Sequence, residues 1–426
     1  MRTKILSGLL LLMTAAIFVV SCTKEQSISS SPDNYKVDLI PESLAKAIAE
    51  HFNPSMLQNG SNQANRFSTI IVPNRTVTSS TTLVDKNNQP ALYIFNYPLD
   101  SGYVVVSADV KHEPICAYVE RGNANQNDSV PGALMTWFDK TIENIEILRD
   151  GKYDNTARAN WAWNDLLLNS DTKSLNDQLK PKPIDPPPGD DPCSQGGYFI
   201  QRGPFLTSTW GQGCSYNDLC PNRSCNIGCW TQNAWTGCVA TAMSQVIHYW
   251  HPANQYNYNY GSMPVASGNG EVQRLMRDCG LPQNVNMNYG CSGSGADGAR
   301  VPTSLRNNFG FASAQRSSYS SSSYNTVVAN LNNSWPVFLE GCATRKRTWL
   351  FWWKYSDCHE WVTDGYISTG NNCYGYLYFH MNWGWHETWG GNDHNGWFGF
   401  NNWNANLPNQ PSNFQYAKDF TYNVHL

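Results

Sequence analysis

A proline-rich segment at residues 180–192, KPKPIDPPPGDDP, divides this 426-residue chain into two regions. Proline fixes the backbone angle φ and has no N–H to donate, so the segment cannot form a helix or a sheet and should be extended and accessible. A chain of this length can bury two sizeable cores. We therefore predict an N-terminal domain at residues 22–168, a linker at residues 169–192 and a C-terminal domain at residues 193–426.

Residues 1–21 have the pattern of a targeting segment. Arg2 and Lys4 precede an apolar run at residues 5–20, which is too short to cross a membrane comfortably and ends at Ser21-Cys22. A small residue before such a cysteine resembles the bacterial lipobox, whose cysteine is lipidated, so we expect Cys22 to hold the protein to a membrane. Residues 23–26, TKEQ, are similar to the surface-export signal of Bacteroidetes-type lipoproteins. We predict an exported lipoprotein at the outer membrane or cell surface, from which the protein could be released after processing.

The N-terminal domain combines one helix with several strands. Residues 41–52 have apolar positions at helical spacing and a proline near the start. Strand-like runs follow at residues 82–84, 91–95, 102–109 and 114–119, with a polar turn at Asn87 and Asn88. This pattern predicts a small α+β domain. Its position fits either a regulatory segment or an adaptor that carries the C-terminal domain away from the membrane.

Cysteines are concentrated in the C-terminal half. Besides Cys22, Cys116 and Cys238, the chain has ten, an even number that predicts up to five disulfides in an oxidising compartment: Cys193, Cys214, Cys220, Cys225, Cys229, Cys279, Cys291, Cys342, Cys358 and Cys373. The cluster between residues 214 and 229 could instead hold zinc, but its spacings lack the paired short knuckles of a structural zinc site. We predict no metal and no other cofactor.

Cys238 begins an amphipathic helix directly after a glycine. In GCVATAMSQVIHYW, residues 237–250, apolar residues recur at spacings of three and four, and Pro252 ends the run. Unpaired backbone N–H groups and the helix dipole at the first turn favour the thiolate form of a cysteine. The same N–H groups can bind an oxyanion. Cys238 is therefore a candidate nucleophile.

Three other segments carry groups that a thiol nucleophile needs. His359 begins the strand-like run HEWVTDG, residues 359–365, and an imidazole can remove the thiol proton and later protonate a leaving amine. In YLYFHMNWGW, residues 376–385, Asn382 could orient the imidazole through its amide oxygen, or Trp383 could shield it. Upstream, Gln212 in WGQG, residues 210–213, could supply a second oxyanion donor.

The order Gln, Cys, His, Asn is that of papain-like enzymes, and the local sequences resemble the streptopain family of bacterial cysteine peptidases. The similarity lies in GCVATA at residues 237–242 and HMNWGW at residues 380–385. It implies an α+β fold in which a helical part carries the cysteine and an antiparallel β part carries the histidine. It also implies an endopeptidase for protein or peptide substrates, with Cys238 as nucleophile, His359 as base and Gln212 as oxyanion donor.

The resemblance extends more weakly to residues 22–168, which are similar to the inhibitory propeptide of streptopain-type zymogens. The protein would then carry its own inhibitor. A cut at residues 175–192 would both activate the enzyme and separate it from its lipid anchor, because exposed linkers are nicked before packed domains.

The residues beside the histidine depart from the family pattern. The family usually has a small residue on each side, whereas Cys358 and Glu360 flank His359 here. Neighbouring strand residues point to opposite faces, so we expect both flanking side chains to reach solvent. If Glu360 pointed at the ring instead, it would raise the imidazole pKa.

Other functions are compatible with parts of the pattern. A Cys-His-Asn site also serves amidases and transglutaminase-type acyl transferases, and a catalytically silent surface binding protein could keep the same fold. The presence of Gln212 together with Cys238 and His359 argues against silence. The 17 Trp and 22 Tyr could form a sugar-binding surface, although such aromatics more often pack in a β core. A formal net charge of −4, without basic runs interleaved with aromatics, gives no support to nucleic-acid binding.

Overall fold

Antiparallel strands and short amphipathic helices make up the described part of the chain. The computed structural model describes residues 39–52, 75–124, 132–152, 158–160, 162–163, 166, 198–320, 322–349, 352–371, 375–386, 393–400 and 417–426. These residues belong to one compact unit, Asp38–Leu426. The predicted targeting segment, the lipidation site at Cys22, the linker and both of its boundaries lie outside the described residues.

The N-terminal region has the predicted helix, α1 (Glu42–His51), whose buried face follows the spacing of its apolar residues: Leu44, Ala45, Ile48 and Ala49. The remaining elements are β1 (Ser79–Val84), β2 (Pro90–Asn96), β3 (Tyr103–Ser107), β4 (Ile115–Val119) and α2 (Gly132–Arg149). Asn88, at φ 60°, makes the turn between β1 and β2. Along β2, Tyr93 and Phe95 pack in the cluster that contains α1, while Leu92 and Ile94 pack in the cluster that contains α2. Helices therefore cover both faces of this sheet.

The C-terminal region begins with β5 (Tyr198–Arg202) and a helical part. Three helices form this part: α3 (Cys238–Trp250), α4 (Gly270–Gly280) and α5 (Val301–Asn308). Met243 and Val246 of α3 pack in one core cluster with Leu275 of α4 and Leu305 of α5. Helix α3 stops where the sequence predicts, with His251 in the left-handed region at φ 48° directly before Pro252.

The β part that follows carries the histidine segment. Its elements are β6 (Ser313–Ser318), α6 (Ser323–Asn332), β7 (Val337–Trp349), β8 (Trp352–Gly370), β9 (Gly375–Asn382), β10 (Gly396–Gly399) and β11 (Ala417–His425). In the antiparallel register of β7 and β8, Gly341 lies opposite His359 and Glu340 lies opposite Glu360. The α+β prediction is confirmed, because the helical part carries Cys238 and the antiparallel part carries His359.

One continuous sheet joins the two regions. The strand order is β1-β2-β3-β4-β10-β9-β8-β7-β11-β6, and β5 pairs with β8. The junction is the antiparallel pair of β4 and β10, in which Gly396 lies opposite Val119. A Cβ at Gly396 would come within 2.4 Å of the Tyr118 carbonyl oxygen, so only glycine allows this close approach. None of the described helices is long and apolar enough to span a membrane.

The cysteines are oxidised in part. Disulfides join Cys214 to Cys229 and Cys225 to Cys291, so three of the four cysteines between residues 214 and 229 are not available as zinc ligands. Cys358 is also disulfide-bonded. The expectation that the ten cysteines pair is wrong for two of them, because Cys220 and Cys279 are free and buried. Each faces a hydroxyl group rather than a sulfur atom: Cys220 contacts Tyr289, and Cys279 Sγ lies 3.6 Å from Ser244 Oγ. Cys193, Cys373 and the Cys342 side chain lie outside the described residues.

Candidate active site

Cys238 is the first residue of α3 and is partly buried. The preceding residue, Gly237, has φ 88° and ψ 143°. A Cβ at Gly237 would lie 2.8 Å from Met287 Cε and 2.9 Å from the Ser294 carbonyl oxygen. Glycine is therefore needed here both for its backbone conformation and for the space, and it determines where the helix and its thiol begin.

Gln212 is attached to the start of this helix through its backbone. Its carbonyl oxygen accepts a hydrogen bond from Thr236 N at 3.0 Å and another from Thr236 Oγ1 at 3.3 Å. Thr241 Oγ1, one turn into α3, lies 3.4 Å from the Gly211 carbonyl oxygen. These contacts hold Gln212 beside the residues that precede Cys238. The Gln212 side chain donates from Nε2 to the Gly384 carbonyl oxygen at 3.3 Å, so its amide points toward the segment after Trp383.

His359 is buried on β8, and its ring is oriented by a backbone group. Its Nε2 lies 2.7 Å from the carbonyl oxygen of Trp383, which can only accept, so Nε2 carries the proton and Nδ1 is left with a lone pair. The ring lies nearly parallel to Trp361, with centroids 6.2 Å apart, and edge-on to Trp385 at 6.1 Å. Burial lowers the pKa of His359 to about 4, and the Trp383 carbonyl offsets only part of this effect.

Asn382 does not perform the role that its amide oxygen suggested. That oxygen accepts from Gln245 Nε2 at 3.0 Å and from Gly384 N at 3.3 Å, while Asn382 Nδ2 donates to the Ser208 carbonyl oxygen at 2.8 Å. Asn382 therefore holds neighbouring segments together, and the group that meets His359 is the backbone carbonyl of Trp383. A side-chain pattern cannot reveal such a contact, because every residue has a carbonyl group.

Two buried amides in this region were missed by the sequence analysis. Gln245 accepts from Trp210 N at 3.1 Å and donates to Asn382, so it links the segments of Gln212, Cys238 and Trp383. It stands seven residues after Cys238 on the same helix face, outside the apolar stripe, so the helical pattern does not predict its burial. Asn395 accepts from Trp383 N at 2.8 Å, and no local pattern indicates this contact.

The thiol of Cys238 is not ionised by its place at the helix start. Burial raises its pKa to about 11, and the charges of Glu360 and Glu340 raise it further, although the backbone N–H groups of Glu360 and Val239 act in the opposite direction. The dipole and N–H groups that the sequence analysis invoked are present, but desolvation outweighs them. In this form both Cys238 and His359 are uncharged at neutral pH.

The expectation that Glu360 reaches solvent is wrong. Its side chain is 2% exposed, and neither carboxyl oxygen has a hydrogen-bond partner among the described residues. The turn at Gly298–Arg300 and the side chain of Arg316 cover this face of β8. Cys358, on the same face but nearer the start of the strand, is exposed as expected. The structure gives no contact between the Glu360 carboxyl group and the imidazole of His359.

The arrangement can support acyl transfer to sulfur. A thiol lies at a helix start, a strand supplies an imidazole with a fixed tautomer, and the residue that carries a side-chain amide is attached through its backbone to the residue two positions before the thiol. This combination provides a nucleophile, a base that later acts as acid, and donors for an oxyanion.

Both regions of the chain are similar to known proteins. A family model described as the peptidase C10 family matches residues 210–398, and one described as Spi protease inhibitor matches residues 38–145. Streptopain from Streptococcus pyogenes serotype M28 (strain MGAS6180) is 25% identical over 337 residues, which are 69% of this chain and 71% of that protein. The thiol protease/hemagglutinin PrtT of Porphyromonas gingivalis is 24% identical over 341 residues, 70% of this chain and 33% of that protein. A prointerpain A fragment from Prevotella intermedia has a similar fold, with a TM-score of 0.50 and 22% identity over 82% of this chain and 99% of that one.

Proposed function

The chain belongs to the streptopain family, peptidase C10, as a cysteine endopeptidase with an inhibitory N-terminal prodomain, and from this premise we propose that Cys238, His359 and Gln212 perform its chemistry. The Cys238 sulfur attacks the peptide carbonyl carbon after its proton passes to His359. The backbone N–H of Cys238 and the amide of Gln212 stabilise the oxyanion. His359 then protonates the leaving amine, and water hydrolyses the thioester.

One arrangement supports this assignment above all others. Glu360 directly follows His359, and its backbone N–H faces the Cys238 sulfur. Thr236 attaches Gln212 to the start of the helix that carries Cys238. The segments of all three residues therefore meet at one thiol. Trp383 serves through its carbonyl oxygen by orienting His359, and Asn382 serves by holding the segment that contains Trp383.

The protonation states support a latent precursor. Burial raises the pKa of the Cys238 thiol and lowers the pKa of the His359 imidazole, and both shifts disfavour a thiolate–imidazolium pair at neutral pH. The prodomain adds strand β4 to the peptidase sheet, and Tyr103 Oη lies 3.3 Å from His394 Nδ1 near the segment that contains Trp383. We propose that cleavage at residues 175–192 frees the peptidase region and permits the ion pair to form.

We also propose that the precursor is exported and anchored to a membrane through a lipid on Cys22. The apolar run at residues 5–20 that ends at Ser21-Cys22 supports this proposal. Metabolic labelling with a radioactive fatty acid in a bacterial host tests it. The wild-type chain should be labelled and membrane-associated, whereas Cys22→Ser should be unlabelled. Equal labelling of both would contradict the assignment.

The catalytic assignment is tested with Cys238→Ala and a matched control, Cys279→Ala, which removes a buried free thiol from the same region. Cys238→Ala should abolish casein hydrolysis and labelling by an epoxide probe, while Cys279→Ala keeps both. The assay is run on the precursor, on the processed enzyme, and on the processed enzyme with added prodomain. Activity should appear only on processing and should fall when the prodomain is returned. A Cys238→Ala variant that still cleaves casein would refute the proposed mechanism.

A further inference from the structure

The buried carboxyl group of Glu360 has a second carboxyl group as its neighbour and no hydrogen-bond partner among the described residues. Glu340 lies directly opposite it on β7. A Cβ placed on Gly298 would lie 2.5 Å from Glu360 Oε2 and 2.6 Å from Glu340 Oε2, so both carboxyl groups converge on the space that this glycine leaves. Both Glu360 oxygens are buried and lack a partner among the described residues. Two carboxylates that share such a space do not both ionise readily.

Other charges around Glu360 do not relieve this conflict. Arg316, on β6, is its only cationic neighbour among the groups that affect its titration, and Asp297 and Asp419 add to the negative charge of Glu340. Arg316 already pairs with Glu340 and, at 3.2 Å, with Asp419. Burial raises the pKa of Glu360 to about 8, with Glu340 raising it further and Arg316 lowering it only in part. Burial and the charge of Glu340 therefore favour the uncharged form of Glu360.

Glu360 is also coupled to the thiol of Cys238. Its backbone N–H faces the Cys238 sulfur and favours the thiolate, whereas a charge on its carboxyl group disfavours the thiolate. His359, the neighbouring residue on β8, presents its own Nε2 to Trp383 and makes no contact with the carboxyl group. The protonation of Glu360 therefore acts on the nucleophile by charge, without a contact to the base.

We propose that Glu360 is a positioning residue that tunes Cys238 through its charge: its protonated carboxyl group permits the thiol to ionise, and loss of that proton to solvent at alkaline pH suppresses the thiolate. The inference rests on the proposed function in taking Cys238 as the nucleophile. It predicts an alkaline limit to thiol reactivity that a family member with a small residue at this position would lack.

The test measures alkylation of Cys238 by iodoacetamide in the full-length chain, with the labelled peptide identified by mass. Wild type and Glu360→Gln should react at similar rates at about pH 6.5. At about pH 9.5 the variant should react about tenfold faster, because a shift of one pKa unit changes the thiolate population tenfold. If the alkylation rate of the variant divided by that of wild type stays constant across this pH range, at any value, the proposal is overturned. A purely structural effect of the substitution would give such a constant ratio.

Two further variants keep the result interpretable. Asp419→Asn removes an acid that raises the pKa of Glu360 less than Glu340 does, so its alkylation profile should shift toward lower pH, but by less than that of Glu340→Gln. Glu340→Gln removes the neighbouring negative charge, so the change in slope of the Cys238 alkylation rate against pH should move to lower pH. If the pH of this change stays where it is in wild type, the proposal is contradicted, even if Glu360→Gln does not fold. Casein hydrolysis by the processed enzyme is measured in parallel. If alkylation shows the predicted profile and casein is not cleaved, the effect of Glu360 on Cys238 is supported and the proposed function is contradicted.

Discussion

The carbonyl oxygen of Trp383 lies 2.7 Å from Nε2 of His359, and the N–H of the same Trp383 residue donates to Asn395. The backbone of Trp383 thus connects Asn395 to the imidazole of His359, the proposed base. Asn395 directly precedes β10, the strand that pairs with the prodomain. The orientation of the His359 ring is therefore connected to the junction between the two regions.

Replacing Asn395 should reduce turnover without affecting substrate binding. Asn395→Ala leaves the Trp383 N–H without its acceptor, and a lost hydrogen bond of about 1 kcal/mol corresponds to roughly a fivefold to tenfold fall in kcat. KM should change little, since Asn395 does not contact the thiol. Asn395→Asp retains an acceptor oxygen and should keep most of the activity. Steady-state kinetics on the processed enzymes decides, and equal losses in the two variants would mean that this hydrogen bond is unimportant.

Gln212→Ala should lower kcat by roughly a hundredfold to a thousandfold, the loss expected for one oxyanion donor. The backbone contacts that attach Gln212 to Thr236 use its carbonyl oxygen, so they survive the change and the fold should be retained. Gln212→Glu has a similar shape without the N–H donor and should be equally slow. An active Gln212→Glu enzyme with a normal melting temperature would exclude the amide as a donor.

Gln245→Leu should destabilise the protein by about 2–4 kcal/mol, because it leaves the buried Trp210 N–H without an acceptor and the Asn382 oxygen with one donor fewer. The control is Gln255→Leu, which replaces an exposed glutamine whose hydrogen bond to Asn308 is 3.3 Å long, and it should change stability by about 0.5 kcal/mol or less. Urea unfolding of the precursor variants measures the free energies. Similar midpoints for the two variants would show that the contacts of Gln245 add nothing to stability.

Thiol mapping should distinguish the free cysteines of the described residues. In the native precursor, iodoacetamide should label Cys238 alone, because Cys116, Cys220 and Cys279 are buried, whereas Cys238 is only partly buried. Denaturation without reduction should expose those three to the reagent. Cys214, Cys225, Cys229 and Cys291 should react only after reduction. A cross-linked peptide containing Cys220 and Cys279 would contradict this assignment.

Local patterns were sufficient to predict much of the architecture. The apolar spacing of residues 41–52 and 237–250 predicts α1 and α3, since helix periodicity depends on residues only three and four positions apart. The turn at Asn88 follows from its own tolerance of a positive φ. The order of Gln212, Cys238, His359 and Asn382 also belongs to the sequence, and with it the resemblance to the streptopain family.

Sequence alone thus determined helices α1 and α3, the strands β1 to β4, and which side chains are chemically suited to the reaction. Tertiary structure decided the rest: that a backbone carbonyl orients His359, that Cys220 and Cys279 face hydroxyl groups, and that Glu360 is buried. Strand alternation specifies the face on which Glu360 lies, but whether that face is covered depends on Gly298 and Arg316, which are distant in sequence. The same packing desolvates Cys238 and so overrides the effect of the helix start on its pKa.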